Sequence, residues 1–157
     1  MPSPLLTAAT STFESLALLF AESPPSGAQA DAPLTHAVRV TFTGPRAGRL
    51  DVAVSDDVAV ALAANMLGLD PDTVRAESRW RQDAVGELAN VVCGNVLPLV
   101  AGREAVFHLA APAVRALSDA TAAPHGAAAI TETLGVDGGR AVLTLVLDDP
   151  APLHLLP

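Results

Sequence analysis

Apolar residues recur at two different periods along this chain, and the switches between them outline its elements. Phe13, Leu16, Ala17 and Phe20 fall at three- and four-residue intervals, so one helix face is predicted from about Ser11 to Ala21. Ser11 followed three residues later by Glu14 reads as a capping box at its start. The stretch from about Ser23 to Thr35 is rich in Pro, Ala and Gly and reads as a loop. Period-two alternation follows. Val38, Val40 and Phe42 alternate with Arg39, Thr41 and Thr43, and Leu50, Val52 and Val54 alternate with Arg49, Asp51 and Ser55. Gly44 to Gly48 supplies the turn of this hairpin, whose alternation implies one buried face and one wet face.

Helical spacing returns after Ser55 or Asp56, with Val58, Leu62 and Met66 inward and Gly68 as the stop. The longest predicted helix runs from about Ser78 to Val100, with Gly102 just past its end. Pro98 lies inside it and is expected to kink it or end it near Leu97. Ala105 to Ala110 reads as a strand, broken by Ala111-Pro112, and Val114 to Gly126 as loop. Ala127 to Leu134 and Arg140 to Leu147 form a second hairpin around Val136 to Gly139. Helices segregate from paired strands in this order. The class is therefore α+β, a mostly antiparallel sheet with two long helices packed on one face, and the 157 residues make a single domain.

Composition narrows the function. Half the residues are apolar and 17% are charged, as in a folded domain. Aromatics make up only 3%, so the core must be Leu, Val and Ala around Phe13, Phe20, Phe42, Phe107 and Trp80. The net charge is −8 and all nine basic residues are Arg, which suits neither a nucleic-acid backbone nor any chemistry that needs Lys. One cysteine, Cys93, fits a reducing compartment. No basic residue precedes Arg39, and no apolar run is expected to cross a membrane. The chain reads as soluble and cytoplasmic.

The long helix carries the candidate chemistry. At about 100° per residue, Val85, Leu88, Val92, Val96 and Leu99 fall within about 80° of one another and form the core side. Asp83, Glu87 and Asn90 lie opposite, within about 60° of one another. Gly86 and Gly94 flank this stripe. Each costs a helix roughly 1 kcal/mol relative to Ala, and close approach by another protein surface is a reason to accept both. Taken by spacing alone, an Asp-Glu-Asn stripe is more often a solvated face than a site.

The segment Asp83-x3-Glu87-x2-Asn90, followed after 21 residues by Pro112, resembles the signature of the CheC/CheX chemotaxis phosphatases. The upstream stretch from Gly48 to Ser55, and Asn65-Met66-Leu67-Gly68 beyond it, resemble the family's strand and helix ending. There is one motif: near Glu14 the first helix has Ala17 where an Asn would be needed, so the chain is more similar to single-motif CheX than to CheC. The resemblance implies a phosphatase acting on the aspartyl phosphate of a CheY-like response-regulator receiver domain, in chemotaxis or two-component signalling. It implies that Asn90 holds the attacking water, that Glu87 pairs with the receiver's Lys, and that Asp83 supports docking. It also implies no cofactor of the chain's own, with Mg²⁺ supplied by the receiver. Pro112 belongs to the signature without an assigned role. A second reading keeps the fold but drops hydrolysis, leaving a receiver-binding or flagellar-switch-like module. Exposed sheet edges admit a homodimer, and the resemblance points the same way.

Other residues carry weaker signals. His36, His108, His125 and His154 show no metal-ligand spacing. Cys93 reads as a small buried hydrophobe, Asn95 as a surface residue, and Trp80 as either core or docking surface.

Overall fold

The computed structural model describes residues 1–120 and 128–148. In chain order the elements are α1 (Pro4–Ala17), β1 (Ala21–Glu22), α2 (Ala28–Asp31), β2 (Leu34–Thr43), β3 (Gly48–Ser55), α3 (Asp56–Leu67), α4 (Pro71–Ala76), α5 (Ser78–Ala101), β4 (His108–Leu109), β5 (Ala113–Val114), α6 (Leu117–Ala120), β6 (Ala128–Val136) and β7 (Gly139–Leu147). The strands form one antiparallel sheet in the order β1-β6-β7-β3-β2-β4, and β5 also pairs with β2. Both predicted hairpins are present. In the first, Val38 faces Val52 and Val40 faces Leu50; in the second, Leu134 faces Ala141 across a turn at Asp137-Gly138.

One face of the sheet holds the core. Val40, Leu50, Val52, Leu143 and Leu145 pack with Leu5 and Phe13 of α1, Val58 and Leu62 of α3, and Leu88, Val92 and Val96 of α5. Three substantial helices cover this face, where two long ones were expected, because α3 joins α1 and α5. The ends of α3 follow the sequence signals. It starts after Ser55 and stops at Gly68, whose φ of 67° is the left-handed conformation that glycine accepts most readily.

Several expectations are corrected. The first helix starts at Pro4, not Ser11. Ser3 caps it by accepting from the Leu6 N–H at 3.0 Å, and Pro4 occupies the first turn, where no amide hydrogen is needed. Ser11 is mid-helix, so Ser11-Glu14 is no capping box. The helix ends at Ala17, which leaves Phe20 outside it and 78% exposed. Phe13 and Phe42 are buried, while Phe107 and Trp80 are only half-buried. The expected 23–35 loop contains α2 and the start of β2. The expected strand at 105–110 pairs only at His108 and Leu109, and the segment after it contributes β5 and α6. The short helix α4, capped by Asp70, was not foreseen. Gly126, Ala127, Asp149 and the Leu153–Pro157 tail lie outside the described residues.

The wet face expected of the first hairpin is also revised. Strand β3 lies between β7 and β2, so both of its edges are paired, and most of its side chains on the face expected to be wet are buried. Asp51 is only 1% exposed, and Ala53 and Ser55 are buried. Asp51 accepts from Arg39 Nε at 2.6 Å, Arg39 Nη2 at 3.1 Å and Arg49 Nε at 3.2 Å. Ser55 gives its side chain to the partner strand and leaves α3 uncapped: its Oγ accepts from Arg140 N–H at 3.0 Å.

Helix α5 runs through Pro98 to Ala101 and does not end at Leu97. Val96, Leu97 and Val100 are all buried on that stretch, and their packing holds the last turn in place. The helix is long and apolar enough to cross a membrane by length and composition, contrary to the sequence expectation, but much of it is buried against α1, α3 and the sheet.

Candidate functional site

The core side of α5 is broader than its spacing suggested. Ala84, Val85, Leu88, Ala89, Val92, Cys93, Val96, Leu97 and Val100 are buried. Leu99, expected among them, is 49% exposed. Opposite this side, Asp83 and Glu87 are exposed and Asn90 is half-buried. Backbone periodicity therefore does bring the three to one open face. None of their side chains makes a hydrogen bond or ion pair among the described residues, so two carboxylates and one amide are presented to solvent.

The two glycines differ. Gly94 is exposed, and a Cβ there would meet nothing within 4 Å. Pro98, four residues on, has no N–H to offer the Gly94 carbonyl. The helix thus presents bare backbone at this point of the stripe. Gly86, expected on the exposed side as well, is buried. It packs against the ring of Pro112, which reaches over α5 from between β4 and β5. The segment is tied to the edge of β2 by Ala110 N–H to Thr41 O and Arg115 N–H to Ala37 O, each 2.9 Å. Pro112 therefore walls one flank of the stripe, a placement the spacing alone could not show.

The other flank is a groove of about 230 Å³ lined by Met66, Leu67, Trp80, Asp83, Ala84 and Glu87. The last turn of α3 supplies its apolar wall. Trp80, on the first turn of α5, carries the Arg79 guanidinium 5.0 Å from its ring centroid. Sequence reading left Trp80 between core and docking surface, and it missed Met66 and Leu67. Their signal was that Leu67 continues the apolar run at a helix end where Gly68 already closes the helix.

Two interactions fix the helix that carries the stripe. Arg81 lies 3.3 Å from Asp56 Oδ1, and its Nη1 donates to the carbonyls of Val74 at 3.1 Å and Arg75 at 2.9 Å. Near the other end, Asn95 Nδ2 donates to Thr12 Oγ1 at 3.0 Å, and that hydroxyl donates to Ala8 O at 2.7 Å. Asn95 is thus a tie to α1 and not simply a surface residue.

The competing residues stay apart from the stripe. His36 is half-buried, 2.8 Å from Thr35 Oγ1 and 4.0 Å from Asp56. His108 is exposed on β4, and His125 and His154 lie outside the described residues. Burial pushes the Cys93 thiol up to about 12, which removes it as a nucleophile at neutral pH. No three His, Cys, Asp or Glu residues among those described gather as a metal site. A half-buried amide with no partner among the described residues, one turn beyond a carboxylate, can donate and accept together. It can orient a water, and its neighbour can meet a cation.

Comparison with known proteins places this geometry in context. Residues 36–133, well over half the chain, match the family model of the chemotaxis phosphatase CheX. No curated protein matches the sequence. Among solved structures, CheX from Vibrio vulnificus superposes with a TM-score of 0.71 at 20% identity, covering 92% of this chain and 94% of that one. The CheX–CheY–BeF3–Mg²⁺ complex from Borrelia burgdorferi gives 0.68 at 16%, covering 92% and 95%. The FliM middle domain from Vibrio alginolyticus gives 0.52 at 13%, covering 91% and 88%. At these identities the likeness is one of fold.

Proposed function

Since this chain belongs to the CheX family of chemotaxis phosphatases, we propose that it dephosphorylates a CheY-like receiver domain with the stripe Asp83, Glu87 and Asn90. The observation that carries this reading is the Asn90 side chain. It stands half-buried on an otherwise open helix face, with no hydrogen-bond partner among the described residues and Glu87 one turn before it. The receiver brings the aspartyl phosphate and its own Mg²⁺. Asn90 enters beside the phosphoryl group and holds one water in line, its amide oxygen accepting from the water. Water attacks phosphorus, the aspartyl oxygen leaves, and phosphate is released. No bond to this chain forms. Positioning suffices because phosphoryl transfer leaves little covalent work to the protein. Glu87 pairs with the receiver's Lys and fixes the docking register. Gly94 keeps the helix thin where the partner approaches, and Gly86 lets Pro112 sit close beside the stripe. On this reading the protein acts in the cytoplasm beside its receiver. The Borrelia complex, in which a CheX is bound to CheY with BeF3 and Mg²⁺, supports the choice of partner.

The test is the decay of a radiolabelled phospho-receiver. The chain should accelerate it, and Asn90→Ala should abolish the acceleration while leaving receiver binding intact. Glu87→Gln should weaken binding. Decay no faster than the receiver's own, across every receiver from the source organism, would overturn the proposal.

A further inference from the structure

The apolar floor of the groove beside the stripe has no role in the reaction just described, yet the groove has a definite chemical character. At about 230 Å³ it is smaller than the roughly 300–1,000 Å³ of small-molecule pockets, and it suits one long side chain. Its floor is apolar: Met66 and Leu67 from α3, Trp80 and Ala84 from α5. Leu67 is 47% exposed, an apolar side chain left uncovered in the last turn of α3. The rim is anionic. Asp83 and Glu87 both line the groove, both are exposed, and neither has a partner among the described residues. The chain as a whole carries a net charge of −8, which disfavours an acidic occupant. The indole already accepts one guanidinium, that of Arg79, over its ring. An apolar floor with a carboxylate rim is complementary to a side chain that has a methylene stem and a cationic head. The groove is also continuous with the stripe, since Asp83 and Glu87 belong to both.

We propose that this groove takes a lysine or arginine side chain from the docking face of the phosphorylated receiver, with the stem on Leu67 and Trp80 and the cation on Asp83. This rests on the receiver reading above and gives Asp83 a specific task. Asp83 and Leu67 select the partner, while Asn90 acts on the phosphoryl group. A receiver without a basic residue at that point docks poorly, whatever the state of its aspartyl phosphate.

Trp80 is the chain's only tryptophan, so 5-fluorotryptophan gives one ¹⁹F resonance that reports on the groove. The labelled full chain is titrated with each receiver of the source organism, activated by beryllofluoride and Mg²⁺. The resonance should move with the receiver that the chain dephosphorylates, and should still move in Asn90→Ala. Leu67→Lys and Asp83→Lys, both at solvent-accessible positions, should suppress the shift by placing a cation where the receiver's would sit. They should raise KM for that phospho-receiver tenfold or more and leave kcat within about twofold. An unmoved resonance at saturating receiver, with hydrolysis running normally, would overturn the groove proposal alone. So would unchanged KM in both variants. If no receiver is dephosphorylated at all, the receiver reading falls and takes the groove with it.

Discussion

Pro112 packs close against the α5 backbone at Gly86, where there is no side chain to hold it off. A Cβ at that position would lie 3.3 Å from Pro112 Cβ and 3.7 Å from Cγ. Gly86→Ala therefore pushes the Pro112 segment outward by a few tenths of an ångström. That segment is exposed and gives at little cost, so Gly86→Ala should keep most of the alanine's helix preference of about 1 kcal/mol. Gly94→Ala meets nothing within 4 Å and should stabilise the fold by about 1 kcal/mol. If the partner approaches this face, both variants should lower kcat/KM for the phospho-receiver. Urea melts and dephosphorylation rates check the two halves separately. A Gly94→Ala protein that is more stable and fully active would show that no partner approaches there.

Asp51 is the buried charge on which two arginines converge. Removing the carboxylate takes a charged acceptor from both Arg39 and Arg49, whose side chains are 14% and 20% exposed. Asp51→Ala should destabilise the protein by about 3–5 kcal/mol, the usual cost of breaking a buried pair from one side. Chemical denaturation measures it. A loss below about 1 kcal/mol, as for a surface pair, would show that the pair is solvated in solution.

Leu18 closes α1 in the left-handed conformation, φ 55° and ψ 34°, with its side chain 83% exposed. Its N–H bonds to Glu14 O and that of Leu19 to Phe13 O, each 3.0 Å, so the geometry is that of a helix stop that favours glycine. Leu18→Gly relieves the conformation without losing packing and should stabilise by about 0.5–1 kcal/mol. A destabilised variant would mean that Leu18 packs in solution.

His36 gives the stability a pH dependence. Burial lowers its folded-state pKa below the ordinary 6.5; Arg81 adds to this, and Asp56 opposes it. The unfolded chain then binds the proton more readily than the folded one. This contribution to stability is fully present above about pH 6.5 and is lost as pH falls through the lower folded value. Denaturation midpoints at pH 7.5 and 5.5 should differ, and the difference should shrink in His36→Gln. An unchanged difference would assign it to other groups.

Much of the site was legible in the residues. Asp83, Glu87 and Asn90 fall at intervals of four and three, and a helix can only put such positions on one face. The glycines were legible as exceptions but not in what they meet, since Gly86 faces Pro112 and Gly94 faces solvent. Leu99 shows why periodicity overreaches: it continues the apolar spacing, but the described residues leave it 49% exposed.

The sequence by itself determined the local order of this protein. Period-two runs made the two hairpins, Gly68 and Gly102 ended α3 and α5, and the spacing within α5 made the stripe. Those outcomes depend on residues within a few positions of one another, where sterics and hydrogen bonding act directly. Only the tertiary structure decided what lies opposite each face. It buried Asp51 in the middle of the sheet, tied Asn95 to Thr12, laid Pro112 over Gly86 and opened the groove between α3 and Trp80. Each of these joins segments distant in the chain, and their meeting is fixed by how α1, α3 and α5 close on the sheet around one core.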